Sequence, residues 1–474
     1  MRHYKLEGQT TIGALRRLKA ASAVSVPLRD VAALKAFAAK HPRSTREELE
    51  FHCLLLKERK ESKDNGLPSV LMGPCPPSIW ARPVGYSLSI AQVSRNKMSK
   101  KRVLIVYRSY FPSLSHLGPA TAIRNLIDNM SGEYDFHVLT LNYEFATGEP
   151  LFDGGVHREM RGSSVIEYVP RGWRGWRILA QRLRENFDVV DIHCAFDPRL
   201  AIPALLLQWM GYAPRSRIFH TPHGIFMDVI MSAGALKKRL FCDLTDILGL
   251  YRRVVHLAGS PLEEHDIRRN HHRPQEVRMV SQFVESVAKY RNERRKSPDE
   301  LRIAFVGRVT VQKNLCFALD VLGRLTVSSS LDIFGEVGDD AYARQCVERV
   351  KAGVGRCDVT FKGNLEKHRL FEQLAQYDVL FHPTLGENFG HSIVEALMLG
   401  VPVLISDKSP WTDVAASNAG WALSLSEPAA FVEKLEALHA MDEGWPAMSE
   451  GAVRYSRATF DGNRTAERYR AAYG

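Results

Sequence analysis

The sequence contains no apolar run long enough to cross a membrane. Its two longest candidates, Ala201–Met210 and Ala396–Ile405, are shorter than the roughly 18 residues that a spanning helix needs, and charged or polar residues lie close to both. The first residues, MRHYKLEGQT, also lack the apolar core of a secretory signal peptide. These absences predict a cytoplasmic protein.

The cysteines show none of the spacings of disulfide frameworks or zinc sites. All seven, at positions 53, 75, 194, 242, 316, 346 and 357, stand outside any Cys-x-x-Cys pair. An odd and scattered set is typical of reduced thiols. No Asp-x-Asp motif occurs near a predicted strand end, and no carboxylate–histidine cluster has ligand spacing. The sequence therefore predicts no bound metal and no cofactor.

The basic character of the chain is confined to its start. The net charge is +11, but residues 1–100 hold 18 basic and 8 acidic residues, so the remaining 374 are nearly neutral. A basic appendage on a neutral body does not predict a nucleic-acid enzyme. The appendage could contact anionic lipid, nucleic acid or nothing, and we favour lipid or nothing.

At 474 residues the chain exceeds what one hydrophobic core usually organises. A sharp change near Met98 separates weakly helical and Pro/Gly-rich sequence from alternating strands and helices, and Met98 could itself be the true start. The charged stretch Lys289–Glu300 is the natural linker between two such runs. We therefore predict a basic extension over residues 1–97, poorly ordered or partly helical, a first Rossmann-like domain over residues 98–285 and a second over residues 286–460. A C-terminal helix over residues 461–474 is expected to pack back towards the first domain.

Short apolar runs alternate with helical patterns in both domains, which predicts an α/β fold of two facing, doubly wound (Rossmann-like) parallel sheets. Ligands of such sheets bind at the carboxyl ends of the strands. The predicted strands are Val103–Tyr107, Phe136–Leu141, Asp188–His193, Arg217–Thr221, Val254–Ala258, Arg302–Val306, Leu331–Phe334, Val359–Phe361, Val379–His382 and Val401–Ile405.

The segment HPTLGENFGHSIVEALMLGVPVLIS joins a predicted strand to a helix that begins near His391. A helix that opens behind a glycine-containing loop presents free backbone N–H groups to a phosphate. Glu395 lies within the first two turns, where a carboxylate can accept hydrogen bonds from paired ribose hydroxyls. Glu387 lies on the loop, towards the sugar end of the same ligand.

This segment resembles the E-x7-E signature of the retaining family-4 glycosyltransferases (glycosyl transferases group 1), which have the GT-B fold. Two positions depart from the family pattern: Asn388 replaces the usual Gly, and Ser392 the usual Pro. The resemblance implies that the two glutamates hold the donor sugar and the ribose, and that backbone amides of the loop receive sugar and diphosphate. The matching residues are Glu387, Phe389, Gly390, Glu395, Ala396, Gly400, Pro402 and Val403, with His391 beside Gly390.

A second element, FVGRVTVQKN, follows another predicted strand and matches the family's G-R-x4-K pattern at Gly307, Arg308 and Lys313. A departing nucleoside diphosphate needs its growing negative charge neutralised, and Arg and Lys provide that charge. In the first domain, the resemblance implies that His223 meets an outer hydroxyl of the donor sugar. The family usually has two glycines after the first strand, of which this sequence has only Gly118, and the resemblance implies that Gly118 lies near the diphosphate. Asp197 is best explained as a helix cap.

The resemblance covers residues from about 101 to 460, and it implies that the first domain binds the acceptor and the second binds the nucleotide-sugar donor. It implies a retaining, metal-independent enzyme that moves a sugar from a nucleotide-diphosphate sugar to a glycan or lipid-linked acceptor. Surface polysaccharide biosynthesis at the inner face of a membrane, with peripheral contact to anionic lipid, is the expected setting, and nucleic acid is not an expected partner. The alternatives are an epimerase or phosphorylase on the same fold, or a non-catalytic basic membrane or nucleic-acid adaptor.

Overall fold

A computed structural model describes residues 100–113, 117–145, 147–273, 275–290, 296–338, 340–441 and 443–474. All of them belong to one compact unit, Ser99–Gly474. The predicted basic extension lies outside the described residues. Within the described part, no helix is both long enough and apolar enough to cross a membrane.

The first domain is built on an eight-stranded sheet with the order β3-β4-β2-β1-β5-β6-β7-β8. Neighbouring strands pair in parallel except β3, which pairs antiparallel with β4 at one edge. The central strand β5 is buried along its whole length, and its neighbours β1 and β6 are buried over most of theirs, because helices cover both faces of the sheet. The strands are β1 Lys101–Val106, β2 Tyr134–Leu141, β3 His157–Arg161, β4 Ser164–Val169, β5 Val189–His193, β6 Arg217–Thr221, β7 Val254–Ala258 and β8 Glu276–Met279.

Six helices connect these strands. Two of them have recognisable capping residues. Helix α5 is flanked by Gly234 and Gly249, both in left-handed conformation, and the Ser260 side chain caps α6 by accepting the N–H of Glu263. Asp197 Oδ2 accepts the N–H of Leu200 at 2.9 Å at the start of α3, which confirms the predicted cap. The helices are α1 Leu117–Met130, α2 Trp173–Leu183, α3 Ala201–Trp209, α4 Asp228–Ser232, α5 Ala235–Leu248 and α6 Pro261–Arg269.

The second domain has a six-stranded, fully parallel sheet with the order β11-β10-β9-β12-β13-β14. A short 3₁₀ turn, Val311–Lys313, follows β9. The elements are β9 Leu301–Val306, α7 Leu315–Leu322, β10 Ser329–Phe334, α8 Ala341–Ala352, β11 Cys357–Gly363, α9 Lys367–Leu374, β12 Val379–His382, α10 His391–Leu399, β13 Val403–Ser406, β14 Gly420–Leu423, α11 Pro428–Ala440, α12 Gly444–Thr459 and α13 Gly462–Tyr473.

The last helix, α13, packs against the first domain although it follows the second in the chain. Tyr473 is buried among first-domain residues such as Val103 and Phe136, and its hydroxyl donates to Asp191 Oδ2 on β5 at 2.7 Å. The two domains are thus tied together at the C-terminus as well as by the segment between β8 and β9.

The prediction of two parallel α/β sheets is confirmed, but the sequence analysis missed the β3–β4 hairpin, β8 and β14. The residues of β3, HREMR, are mostly exposed and carry no alternating apolar pattern, so nothing in them signals a strand. The carboxyl ends of β6 and β12 face each other. Val229, beyond β6, comes within 3.1 Å of the position that a Cβ on Gly386 would occupy. The cleft between the domains is therefore lined by the loops that follow these strands.

Candidate active site

The loop between β12 and α10 is held in one conformation. Gly390 has φ 75°, and a Cβ there would lie 2.9 Å from Glu387 Cγ, so only glycine fits without a shift. The indole N–H of Trp411 donates to the carbonyl of Phe389 at 2.5 Å. The Phe389 ring is buried against Trp411 and Phe460. These contacts fix the free N–H groups at the start of α10 next to Glu387.

The carboxylate of Glu387 is almost completely buried and has two basic neighbours. Its Oε2 pairs with the ammonium group of Lys313 and lies 3.2 Å from Nε2 of His382, at the end of β12. Burial alone would raise the pKa of Glu387. The Lys313 charge and the His382 hydrogen bond outweigh that effect and lower it to about 2. Glu387 is therefore an anion that is already partnered at neutral pH.

The second carboxylate of the predicted pair, Glu395, lies buried on the second turn of α10 and pairs with Lys367. Lys367 Nζ donates to Glu395 Oε1 at 2.8 Å from the first residue of α9. His391 is near both pairs: burial lowers its pKa to about 3, and the charges of Lys367 and Lys313 act in the same direction. The imidazole is therefore neutral, and the predicted residues Glu387, Glu395 and His391 share one site.

The Gly307–Arg308 element follows β9 and faces the same loop. The aliphatic part of Lys313 lies 3.5 Å from the position of a Cβ on Gly307, so the lysine side chain runs across the end of the strand towards Glu387. Arg308 is exposed, and its charge is among the influences on the pKa of Tyr107 in the first domain. The guanidinium group thus lies on the cleft side, where an anion can reach it.

The first domain contributes His223, in the turn after β6. Its backbone is left-handed (φ 58°), an uncommon conformation outside glycine that clusters at functional sites. His223 Nε2 lies 2.7 Å from His193 Nδ1, and the two rings stack with centroids 4.9 Å apart. Burial first, and then the neighbouring His193 and His391, hold the pKa of His223 well below its usual range. The ring is a neutral hydrogen-bonding group beside the His391 loop.

Loops of the two domains are in direct contact at Gly224. A Cβ on Gly224, which has φ 75°, would lie 2.7 Å from Asn388 Cβ in the second domain. The backbone N–H groups of Gly224 and Gly259 donate to the carboxylate of Glu263 at 2.6 and 2.8 Å, and Asn388 also hydrogen-bonds it. Burial raises the pKa of Glu263 to about 7, although these three hydrogen bonds oppose the rise.

The structure gathers nine of the ten predicted site residues on the loops and helix starts that border the cleft, although the Phe389 ring itself points into the second-domain core. Gly118 is the exception: it is the exposed second residue of α1, and nothing lies within 4 Å of where its Cβ would be. The assignment of individual roles stays a prediction. Among the described residues, no group of three or more His, Cys, Asp or Glu side chains could hold a metal ion.

The sequence analysis missed two residues that complete the site, Lys367 and Glu263. Neither lies in a recognisable motif. In the sequence nothing distinguishes Lys367 from other lysines, because its contact with Glu395 depends on the packing of α9 beside α10. For Glu263, the available signal was its place in the first turn of a capped helix directly after β7, at the carboxyl edge of the sheet.

Comparison with known proteins agrees with this geometry. Residues 286–453 match the family described as glycosyl transferases group 1. The chain is 27% identical over 335 residues to a GDP-mannose-dependent alpha-mannosyltransferase of Mycolicibacterium smegmatis, across 66% of the chain and 82% of the relative. It is 24% identical over 319 residues to a 41.2 kDa protein in the cps region of Klebsiella pneumoniae, across 64% of the chain and 81% of that protein.

The fold also matches solved structures of low sequence identity. The structure of Anabaena HepE in complex with UDP and glucose superposes with a TM-score of 0.60 at 14% identity, covering 78% of this chain and 99% of HepE. This likeness confirms the GT-B fold.

Proposed function

We propose a specific reaction for this glycosyltransferase, whose residues 286–453 match the glycosyl transferases group 1 family. It transfers a sugar from a nucleotide-diphosphate sugar to a glycan or lipid-linked acceptor, with retention of configuration and without a metal ion. The observation that carries the proposal is the pair of buried carboxylates, Glu387 and Glu395, each held by a lysine on either side of a helix start.

The arrangement matches the parts of such a donor. The free N–H groups at the start of α10 suit the diphosphate. Glu395 suits the ribose hydroxyls, and Glu387, with its negative charge secured at neutral pH, suits the hydroxyls of the sugar. HepE, which has the same fold, was solved with UDP and glucose, and this supports a nucleotide-sugar donor here.

In the proposed reaction, the bond between C1 of the sugar and the diphosphate oxygen breaks as the acceptor hydroxyl forms a new bond to C1 on the same face. The acceptor proton passes to the departing diphosphate. Arg308 and Lys313 stabilise the charge that grows on that diphosphate, which is the role a divalent cation has in other enzymes. His223, a neutral imidazole, is suited to hydrogen-bond an uncharged sugar hydroxyl.

The biological setting is proposed from the relatives. One relative is named for GDP-mannose and another for a cps region, and these names support a role in polysaccharide biosynthesis. We propose surface polysaccharide as the product and the cytoplasm as the place where the chain works. A lipid-linked acceptor would require the enzyme to work at a membrane surface.

One surface of the first domain supports membrane contact. Helix α5 presents an apolar stripe to solvent, with Leu236 82% and Ile247 69% exposed. The two acidic residues of this helix, Asp243 and Asp246, pair with two histidines that follow α6. Its basic residues Lys237 and Arg239 are exposed to solvent. The face is thus mainly apolar, with these two basic residues beside one half-exposed carboxylate, Asp243. Apolar area with flanking basic residues is what binding to an anionic bilayer requires. The stripe comprises Leu236, Leu240, Leu244, Ile247 and Leu248, flanked by Lys237, Arg239 and Arg273.

Co-sedimentation with phosphatidylcholine vesicles, with and without phosphatidylglycerol, tests this surface. We expect binding only to the anionic vesicles and a loss of at least about tenfold in Leu240→Ser/Ile247→Ser, since each buried side chain contributes about 1.5–3 kcal/mol. Met160→Ser, equally exposed on β3, should bind like the parent. Equal binding by the double variant, or a stripe buried in a concentration-dependent dimer, contradicts membrane docking.

The reaction is tested by incubating the chain with a panel of UDP-, GDP- and ADP-sugars and measuring nucleoside diphosphate release with and without acceptor, in the presence of EDTA. We expect one donor to be consumed in EDTA and an anomeric proton coupling in the product that matches the donor. Glu387→Gln and Lys313→Met should reduce turnover by 10²-fold or more. Lys434→Met, which removes a partly exposed lysine of α11, is the matched control.

The alternatives give different results in the same experiment. An epimerase converts the donor without acceptor, and a phosphorylase requires free phosphate. A non-catalytic adaptor turns over no donor at all. Unchanged turnover in Glu387→Gln and Lys313→Met would refute the site, loss of activity in EDTA would refute metal independence, and inversion at C1 would refute retention.

A further inference from the structure

The side chain of Asn388 lies at the contact between the two domains, one residue after Glu387. It is 8% exposed, and its Nδ2 lies 3.9 Å from the position of a Cβ on Gly259 of the first domain. The similar family usually has glycine here, so this side chain is an addition to a loop that otherwise keeps the family pattern. A side chain in such a place can touch whatever the neighbouring Glu387 binds.

The two ends of the Asn388 amide have different surroundings. The amide hydrogen-bonds the carboxylate of Glu263. An ionised carboxylate only accepts hydrogen bonds, so the amide nitrogen must face it and the oxygen must point elsewhere. Asn388 Oδ1 is buried and has no hydrogen-bond partner among the described residues. A buried acceptor without a donor is costly, and sites where it occurs call for an explanation.

Glu263 is itself immobilised. It accepts the backbone N–H groups of Gly224 and Gly259 and sits in the first turn of α6, whose cap Ser260 accepts the N–H of Glu263. The carboxylate therefore fixes both the loop that carries His223 and the direction of the Asn388 amide.

We propose that Asn388 Oδ1 accepts a hydrogen bond from a hydroxyl of a sugar substrate, and that Glu263 is a positioning residue that holds the amide in the orientation this requires. The inference rests on the proposed function and adds a specificity contact to it. The hydroxyl belongs to the transferred sugar or to the acceptor, and the two sources share the same chemistry.

The test compares Asn388→Gly, which restores the residue usual in the similar family and adds no strain, with the parent enzyme at about pH 8, where Glu263 is ionised. One lost hydrogen bond to a neutral group corresponds to a fall of about 3- to 10-fold in kcat/KM. A rise in the KM of the donor alone assigns the hydroxyl to the transferred sugar, and a rise in the KM of the acceptor alone assigns it to the acceptor. Asn463→Ala, on the exposed start of α13, is the control.

Glu263→Gln distinguishes positioning from simple support of the fold. The substitution turns one of the two accepting oxygens into a donor, so the side chain at 263 no longer fixes the direction of the Asn388 amide, and we expect the KM of the same substrate to rise as in Asn388→Gly. In the Asn388→Gly background, Glu263→Gln should raise that KM no further.

Unchanged kinetics in Asn388→Gly, while Glu387→Gln abolishes turnover, would overturn this inference and leave the proposed function intact. An additive effect of the two substitutions would overturn the positioning role. Absence of donor turnover in the parent enzyme would instead refute the proposed function.

Discussion

The ion pair between Lys313 and Glu387 makes a quantitative prediction about stability. The pKa of Glu387 is about 2 in the folded chain, against an ordinary value of 4.5. This difference corresponds to about 3 kcal/mol in favour of the folded state at neutral pH. After the opposing effect of burial, the Lys313 charge is the largest cause. Lys313→Met should therefore destabilise the fold by about 2 kcal/mol at neutral pH, because it leaves a buried carboxylate with only His382.

The sign of the pH dependence follows from the lowered pKa. The stabilisation is present above the unfolded value of 4.5 and is lost as the pH falls towards about 2. Denaturant unfolding at about pH 7 and about pH 3 should therefore show a deficit in Lys313→Met that shrinks in acid. Glu387→Gln in the Lys313→Met background should cost less than it does alone, since the two residues are coupled.

Lys434→Met provides the reference for this experiment, because Lys434 pairs with Glu433 at the surface and such pairs contribute little. If Lys313→Met unfolds at the same denaturant concentration as the parent, or if its deficit is independent of pH, the buried pair does not have the role assigned here. Full additivity of the two substitutions would refute the coupling.

Three further predictions concern the rest of the site and its support. Glu263→Gln should gain up to about 3 kcal/mol of stability relative to the parent as the pH rises from about 4.5 through about 7, because the parent loses stability when its buried Glu263, with its raised pKa, must ionise. Thermal unfolding from acid to alkaline pH measures this, and a difference that does not change with pH contradicts it. Tyr473→Phe should cost about 1–3 kcal/mol because it removes a donor from buried Asp191, which equilibrium unfolding would measure; an unchanged midpoint argues against it. Gly390→Ala should abolish the donor-induced thermal shift, because its Cβ meets Glu387; a normal shift would show that the loop has room.

The strands, the Glu387–Glu395 segment and the Gly307–Lys313 element could be predicted because each is a pattern within a short stretch of sequence. Apolar runs identify buried parallel strands, and polar residues directly after them must gather at one edge of the sheet. Glu387 and Lys313 lie after adjacent strands, β12 and β9, so their meeting follows from strand order once the fold is assumed. The edge hairpin was missed for the opposite reason, since β3 is exposed and its residues need no apolar pattern.

The contacts that the sequence did not predict all join distant segments. Lys367 reaches Glu395 across 28 residues, and Glu263 reaches Asn388 across the domain boundary. Neither contact has a spacing rule, because it depends on how two helices or two domains pack. The departure of Asn388 from the family pattern was visible in the sequence, but its consequence was not, since the partner that orients the amide lies 125 positions earlier.

The two carboxylates of the site are neutralised within the protein, and this constrains how a donor can bind. Under the proposed function, a diphosphate that reaches Lys313 shares its ammonium group with Glu387, so donor binding would weaken the Lys313–Glu387 pair unless Glu387 acquires new hydrogen-bond donors at the same time. Sugar hydroxyls supply such donors, and a sugar carboxylate does not. Under the same proposal, ribose hydroxyls would supply Glu395 with hydrogen-bond donors in addition to Lys367. Binding of diphosphate and of hydroxyl groups is therefore coupled through the lysines. A nucleoside diphosphate without its sugar should satisfy Glu395 but leave Glu387 short of partners, so the intact donor is the ligand that this charge arrangement favours.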